Sequence, residues 1–150
     1  YLTLRRIRQL FWPTFTSLIV GGVFATGICL LLGWWFGAEH MILMTLAPKS
    51  VTSPIAMLVA EQIGGVAALA AVFVLITGVI GAIFGPALLS LLGVHSPEAR
   101  GMALGLTAHA VGTSVALQES EECGAFAALA MSLMGVATAV FLPLAVSLVA

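Results

Sequence analysis

The sequence contains no aspartate and no asparagine, a single tyrosine and two cysteines. Lysine occurs once, as Lys49, and charged side chains make up only 7% of the chain, five basic against six acidic. Ordinary soluble domains carry about 25% charge. So little polar material cannot cover a water-facing surface, and a basic nucleic-acid face has no residues to build it. The high apolar content excludes a disordered chain. Two cysteines, Cys29 and Cys123, do not make a disulfide-stapled module. Neither has Cys/His metal-ligand spacing, so no metal is expected. There is no Gly-x-Ser-x-Gly, no phosphate loop and no His-Glu-x-x-His, so neither an enzyme nor a cofactor is expected. What remains is apolar: 61% hydrophobic residues and a mean hydropathy of +1.20. Such a chain is expected to sit in a lipid bilayer.

Three runs are long enough to cross it. They are Pro13 to Phe36, Val66 to Leu92 and Gly124 to Val149. A span needs about 20 apolar residues. Trp12 at one end of the first run, with Trp34 and Trp35 at the other, reads as a pair of interfacial belts. Arg5, Arg6 and Arg8 precede this run without an acidic neighbour. The positive-inside tendency puts that end on the cytoplasmic side and Gly37 to His40 on the other.

Two further segments do not read as ordinary loops. Met41 to Gly65 begins apolar, passes through Pro48-Lys49-Ser50-Val51-Thr52-Ser53-Pro54, and turns apolar again. Gly101 to Cys123 does the same around Thr107-Ala108-His109-Ala110-Val111-Gly112-Thr113-Ser114. The halves also align: Leu69 and Leu129 are 60 positions apart, Thr52-Ser53 and Thr113-Ser114 are 61 apart, and Gly78 and Pro86 match Gly135 and Pro143 at 57. The expected fold is an all-α polytopic membrane protein. One transmembrane helix precedes two repeated units, each a broken (discontinuous or re-entrant) helical segment followed by a transmembrane helix, in one membrane domain over residues 1–150. Interrupted segments at matching positions point to a transporter site, because lipid cannot satisfy free backbone N–H and C=O groups. Half-helix N-termini then present partial positive charge to an anion. If Met41–Gly65 crosses the membrane, Arg100 ends on the far side; if it re-enters, Arg100 joins Arg5, Arg6 and Arg8. The charges favour re-entry by one arginine only, and both stay open.

Pro48 and Pro54 bracket a predicted break at Lys49–Ser53, with a half-helix starting near Pro54 and Thr52 or Ser53 at its cap. Lys49 either binds an anionic substrate beside Ser50, Thr52 and Ser53 or snorkels to the interface. His109 either meets the ligand, with Gly112, Thr113 and Ser114 beside it, or is a buried imidazole on a backbone carbonyl. Gly112 permits a conformation closed to other residues, or a ligand's close approach. Glu61 and His109 are candidates for proton coupling; Glu61 also reads as a solvated acid at the membrane edge. Glu119, Glu121 and Glu122 read as a solvated acidic turn. Ser96-Pro97-Glu98 reads as a capped helix start.

Ala47-Pro48-Lys49-Ser50-Val51-Thr52-Ser53-Pro54-Ile55-Ala56 and the following Glu61-Gln62-Ile63-Gly64-Gly65 resemble the signature of the LrgB (CidB) family. Arg100-Gly101-Met102-Ala103-Leu104-Gly105, His109-Ala110-Val111-Gly112-Thr113 and Gly124-Ala125-Phe126 are similar to its second signature. The likeness covers roughly Ile42 to Pro143. It implies a polytopic protein of the bacterial inner (plasma) membrane or the plastid inner envelope, with this chain as the C-terminal portion of a longer domain. Members are described as holin/antiholin-like modulators of murein hydrolase activity and lysis that act with a small LrgA (CidA)-type membrane partner. Relatives include the plastidal glycolate/glycerate translocator and systems linked to pyruvate uptake. The chain departs from the family pattern at Ser53 (usually Thr), Val115 (often basic) and Cys123 (commonly acidic). The lost basic residue weakens any two-cation carboxylate clamp.

Two functions follow as expectations. One is transport of a small monocarboxylate of the glycolate, glycerate or pyruvate type, with Lys49, Ser50, Thr52, Ser53, His109, Gly112, Thr113 and Ser114 binding it. The other is a holin-like or antiholin-like role through the small partner, with Gly78, Gly81 and Gly85 as a helix-contact face. Homo-oligomerisation is left open, and no nucleic-acid partner is expected.

Overall fold

The computed structural model describes residues 11–149. Arg5, Arg6 and Arg8, which carry the orientation argument, lie outside them. The described chain is all helical: α1 (Phe11–Trp35), α2 (His40–Leu46), α3 (Ser53–Gln62), α4 (Ala67–Leu91), α5 (Pro97–Glu119) and α6 (Glu121–Val149). Three of these, α1, α4 and α6, are long and apolar enough to cross a membrane. At 25 residues, α1 and α4 each reach about 37 Å against a hydrocarbon core of about 30 Å.

The helix starts follow local chemistry. Ser96 Oγ accepts from Ala99 N–H at 3.2 Å, with Pro97 and Glu98 in the first turn, as the sequence predicts. The predicted break before α3 is also present: Thr52 is extended (φ −70°, ψ 149°) and Pro54 lies in the first turn. The expected acidic turn is instead the start of α6. Ser120 Oγ accepts from Cys123 N–H at 3.1 Å, and Glu121 and Glu122 occupy the first helical turn, where the helix dipole favours them. The third span therefore begins one turn earlier than its apolar run.

Helix α5 is bent back on itself. His109 has φ 40° and ψ −122°, a non-helical conformation inside the segment. A straight helix would hold Arg100 and Glu119 about 28 Å apart. Here Arg100 Nε donates to Glu119 Oε2 at 2.6 Å. The chain therefore descends from Pro97, turns at His109, and returns to the level at which it started. The groove between α1 and α5 puts Pro13 and Thr14 beside Ser96 and Glu98, so α1 begins at that same end.

The packing is made by small residues. Ala56, Ala60, Ala70, Ala108, Ala116, Ala127 and Ala130 are completely buried, around a buried Phe126. This is the expected core of a membrane bundle, in which lipid tails remove the driving force for burying large apolar groups and close backbone approach takes over. The large side chains point outward instead, among them Trp12, Trp34, Trp35 and Phe36. Gly78, Gly81 and Gly85 of α4 lie against His109, Ala108 and Leu104 respectively, so α4 runs antiparallel to the first arm of α5.

Thr45 ties the α2–α3 pair to α4. Its Oγ1 donates to Met41 O at 2.7 Å and accepts from Val66 N–H at 2.9 Å. Thr45 is fully buried. Thr45→Val keeps the shape and strands the Val66 N–H, so a loss of about 1–3 kcal/mol is expected in detergent unfolding. An unchanged midpoint would show that this bond does not hold the junction.

Candidate functional site

Two interruptions of helical backbone meet at the middle of the bundle. The first is the turn and extended run between α2 and α3. The second is the reversal at His109. Gly78, midway along α4, lies beside the His109 imidazole, with a Cβ there falling 3.0 Å from Cε1. Gly135, midway along α6, lies beside Ile55 in the first turn of α3, with a Cβ there falling 3.0 Å from Cδ1. Both breaks therefore sit at mid-depth of the long helices.

His109 is 2% exposed and is the one described non-glycine residue with positive φ. Its Nε2 is buried and has no hydrogen-bond partner. The imidazole lies against the Lys49 backbone and within electrostatic reach of its ammonium. The ammonium itself donates to Ser50 Oγ at 3.0 Å, and Ser50 is buried. A buried polar atom without a partner costs about 1–3 kcal/mol. Its pairing with a left-handed backbone marks the region as one where the fold holds a costly arrangement.

The other predicted residues divide. Thr113 is buried, and its Oγ1 donates to His109 O at 2.8 Å, which steadies the reversal. Thr52 and Ser53 are half-buried at the start of α3, and neither side chain caps it. Ser114 is exposed and donates to Val111 O at 2.7 Å, so its hydroxyl is turned into its own helix. Glu61 is exposed near the far end of α3, about 12 Å along the helix from Ser53. Among the described residues it makes no ion pair with Lys49, whose ammonium donates to Ser50 Oγ, whereas Arg100 and Glu119 do form one. Gly112 does not carry the unusual conformation that its sequence context suggests. That falls on His109, and Gly112 serves close approach: a Cβ there would collide with Leu104 O in the opposite arm.

Sequence reasoning missed the Arg100–Glu119 pair. Nineteen positions separate the two, and only the reversal brings them together. The guanidinium holds the Glu119 carboxyl below its ordinary pKa, chiefly through their hydrogen bond. Glu119 therefore contributes stability that is fully present above the ordinary glutamate pKa and is lost as pH falls through its lowered value. A groove of about 640 Å³ between α1 and α5, lined by Thr14, Ser17, Phe24, Met102 and Thr107 among others, contains none of the predicted ligand residues.

The LrgB-like family profile matches residues 1–148. The chain belongs to the LrgB-like family. The protein YxaC of Bacillus subtilis is 39% identical over 134 residues, covering 85% of this chain and 58% of that protein. The holin-like protein CidB of Staphylococcus epidermidis is 32% identical over 148 residues, 99% of this chain and 65% of CidB. The antiholin-like protein LrgB of Bacillus mycoides is 27% identical over 144 residues, 96% of this chain and 63% of LrgB. The chain thus spans about three fifths of the length of these relatives. No solved structure matches it. Family membership and three apolar helices together make this an integral membrane protein.

Proposed function

We propose that this chain holds the ligand site of a bacterial plasma-membrane carrier for small monocarboxylates of the glycolate, glycerate or pyruvate type. The observation that carries the reading is the buried, unpartnered His109 Nε2 beside Lys49, where two breaks in the backbone meet at mid-depth. On this reading α2–α3–α4 and α5–α6 are two copies of one unit in opposite orientation, each a re-entrant hairpin followed by a spanning helix. Lys49 and His109 are 60 positions apart, the same offset as Leu69 and Leu129. Lys49 supplies the charge for the carboxylate. His109 donates to or accepts from its 2-hydroxyl or 2-oxo group. Ser50, Thr52, Ser53 and Thr113 surround them with hydroxyls, Gly112 lets the arms close, and Ser114 joins after a rotamer change. His109 carries a coupled proton, with Glu61 as the alternative carrier at the α3 end.

A second reading rests on the relatives' names, which favour it over transport: one is called holin-like and another antiholin-like. On this reading the chain modulates a small LrgA/CidA-type membrane partner and so affects wall hydrolysis and lysis. The glycines first suggested for that contact are not free for it, since Gly78, Gly81 and Gly85 are turned onto α5. The exposed face of α1 is then one available surface.

Uptake of labelled glycolate, glycerate and pyruvate into proteoliposomes of the full-length protein, with and without the small partner, separates the two. Saturable uptake that Lys49→Met reduces by about 10- to 100-fold supports the carrier, that being the cost of losing one charge-assisted hydrogen bond. No uptake in either condition, with insertion verified and lysis still altered by deletion, assigns the protein to the second reading.

A further inference from the structure

The base of the α5 hairpin is closed by a guanidinium with no donor to spare. Arg100 Nε donates to Glu119 Oε2 at 2.6 Å and Nη2 to Glu119 Oε1 at 2.7 Å. Nη1 donates to Ser90 Oγ at 3.2 Å and to Val94 O at 3.0 Å, and Nη2 donates also to Pro86 O at 3.3 Å. Arginine has five N–H donors in a rigid fork, and all five are engaged. Arg100 is therefore not an open anion site. It joins four stretches of chain: the first arm of the hairpin, the second arm, the end of α4 and the loop after it.

We propose that Arg100, with Glu119 as its counter-ion, is a positioning residue for the ligand site, clasping the hairpin to α4 and so setting the depth at which His109 meets Lys49. The need for such a clasp follows from the packing. Along α4 the hairpin is met by Gly78, Gly81 and Gly85, and between arms by Gly112. Glycine and alanine faces approach closely but have few interlocking side chains to fix a register along the helix axis. His109 lies about 14 Å along the arm from Arg100, so a slip of one turn at the base moves the imidazole about 5.4 Å past Lys49. The fork also discriminates between substitutes. Lysine keeps the charge but cannot reach two carboxylate oxygens and three further acceptors together.

This inference rests on His109 as a ligand group, so its test carries a readout that does not depend on transport. Cys123 supplies it: Sγ lies 3.7 Å from Glu119 Oε2 and the residue is 1% exposed. In full-length protein with every cysteine other than Cys123 replaced by alanine, Cys123 is treated with a maleimide and the initial rate of labelled glycolate or pyruvate uptake is measured in proteoliposomes. With the parent, Cys123 stays protected. With Arg100→Lys, KM rises on the order of tenfold while Vmax holds within about twofold, the pattern of a displaced binding group rather than lost protein. Arg100→Gln exposes Cys123 to the reagent. Arg100→Glu combined with Glu119→Arg recovers protection and part of the KM. A fall in Vmax alone with KM unchanged in Arg100→Lys, or full Cys123 protection in Arg100→Gln, overturns the proposal. If the parent shows no saturable uptake, the carrier reading has failed and positioning of a ligand fails with it. Cys123 labelling then still reports whether the ion pair closes the hairpin.

Discussion

Replacing His109 by glycine is expected to leave the domain about as stable as the parent and to weaken ligand binding. His109 sits at φ 40°, ψ −122°, close to the first central position of a type II′ turn, where glycine is the usual occupant. Holding an L-residue there costs about 1–3 kcal/mol, and the unpartnered buried Nε2 adds about 1–3 kcal/mol. Deleting a fully buried large side chain ordinarily costs about 3–5 kcal/mol. These terms nearly cancel in His109→Gly. In His109→Ala the cavity remains and the backbone strain is not relieved, so this variant should melt below His109→Gly by about 1 kcal/mol. That order is the reverse of the helix-interior rule, in which glycine is worse than alanine by about 1 kcal/mol. Thermal unfolding of both variants in detergent decides it. An alanine variant more stable than the glycine variant would mean that α5 runs straight through His109 and that the hairpin account is wrong. On the carrier reading both variants lose about 10- to 100-fold in affinity for the acid, so binding separates from stability at one position.

The long helices were legible because a lipid bilayer imposes a simple rule. An uninterrupted apolar run of about 20 residues must be helical, and α1, α4 and α6 follow the three runs to within a few residues. The start of α3 was legible for a different reason: a proline disfavours helix just before it and suits a first helical turn, where Pro54 stands. The reversal in α5 was legible only in part: the small, hydroxylated stretch marked Gly101 to Cys123 as broken, but not the residue at which the chain turns. No proline marks it, and the nearest glycine, Gly112, suggested a hinge three residues from the real one. The signal was the wrong kind to read locally. His109 is held in its conformation by contacts from other elements, namely Gly78 from α4 and Lys49 from the first break. The same holds for Arg100 and Glu119, which look like an interface anchor and a solvated acid until the reversal puts them in contact. Of the ligand candidates, Lys49, Ser50, His109 and Thr113 converge on the centre. Ser114 and Glu61 share their segments but face elsewhere, because composition marks a segment and not the face of it that points inward.

Adding one methyl group at Gly112 is expected to be strongly damaging. A Cβ there would collide with the Leu104 carbonyl and lie 2.6 Å from Ala108 Cβ. Both neighbours belong to the opposite arm of the hairpin, and the collision with Leu104 is with backbone. No rotamer change relieves it. The arms would have to part, yet Arg100 and Glu119 fasten them at the base and Thr113 fastens His109 O at the tip. Overpacking a tight core costs about 1–3 kcal/mol and more where backbone must move, so Gly112→Ala is expected to lose more than about 3 kcal/mol and to accumulate poorly in the membrane. Gly27→Ala is the matched control. Nothing lies within 4 Å of a Cβ at Gly27 on α1, and the change removes a helix-interior glycine worth about 1 kcal/mol. The same chemical step is thus expected to harm one site and to be neutral or mildly stabilising at the other. Membrane abundance and detergent melting of the two variants, side by side, test the closed hairpin without assuming any transported ligand. If Gly112→Ala accumulates and melts like the parent, the two arms are not in contact at that level, and the mid-depth meeting of His109 with Lys49 loses its support.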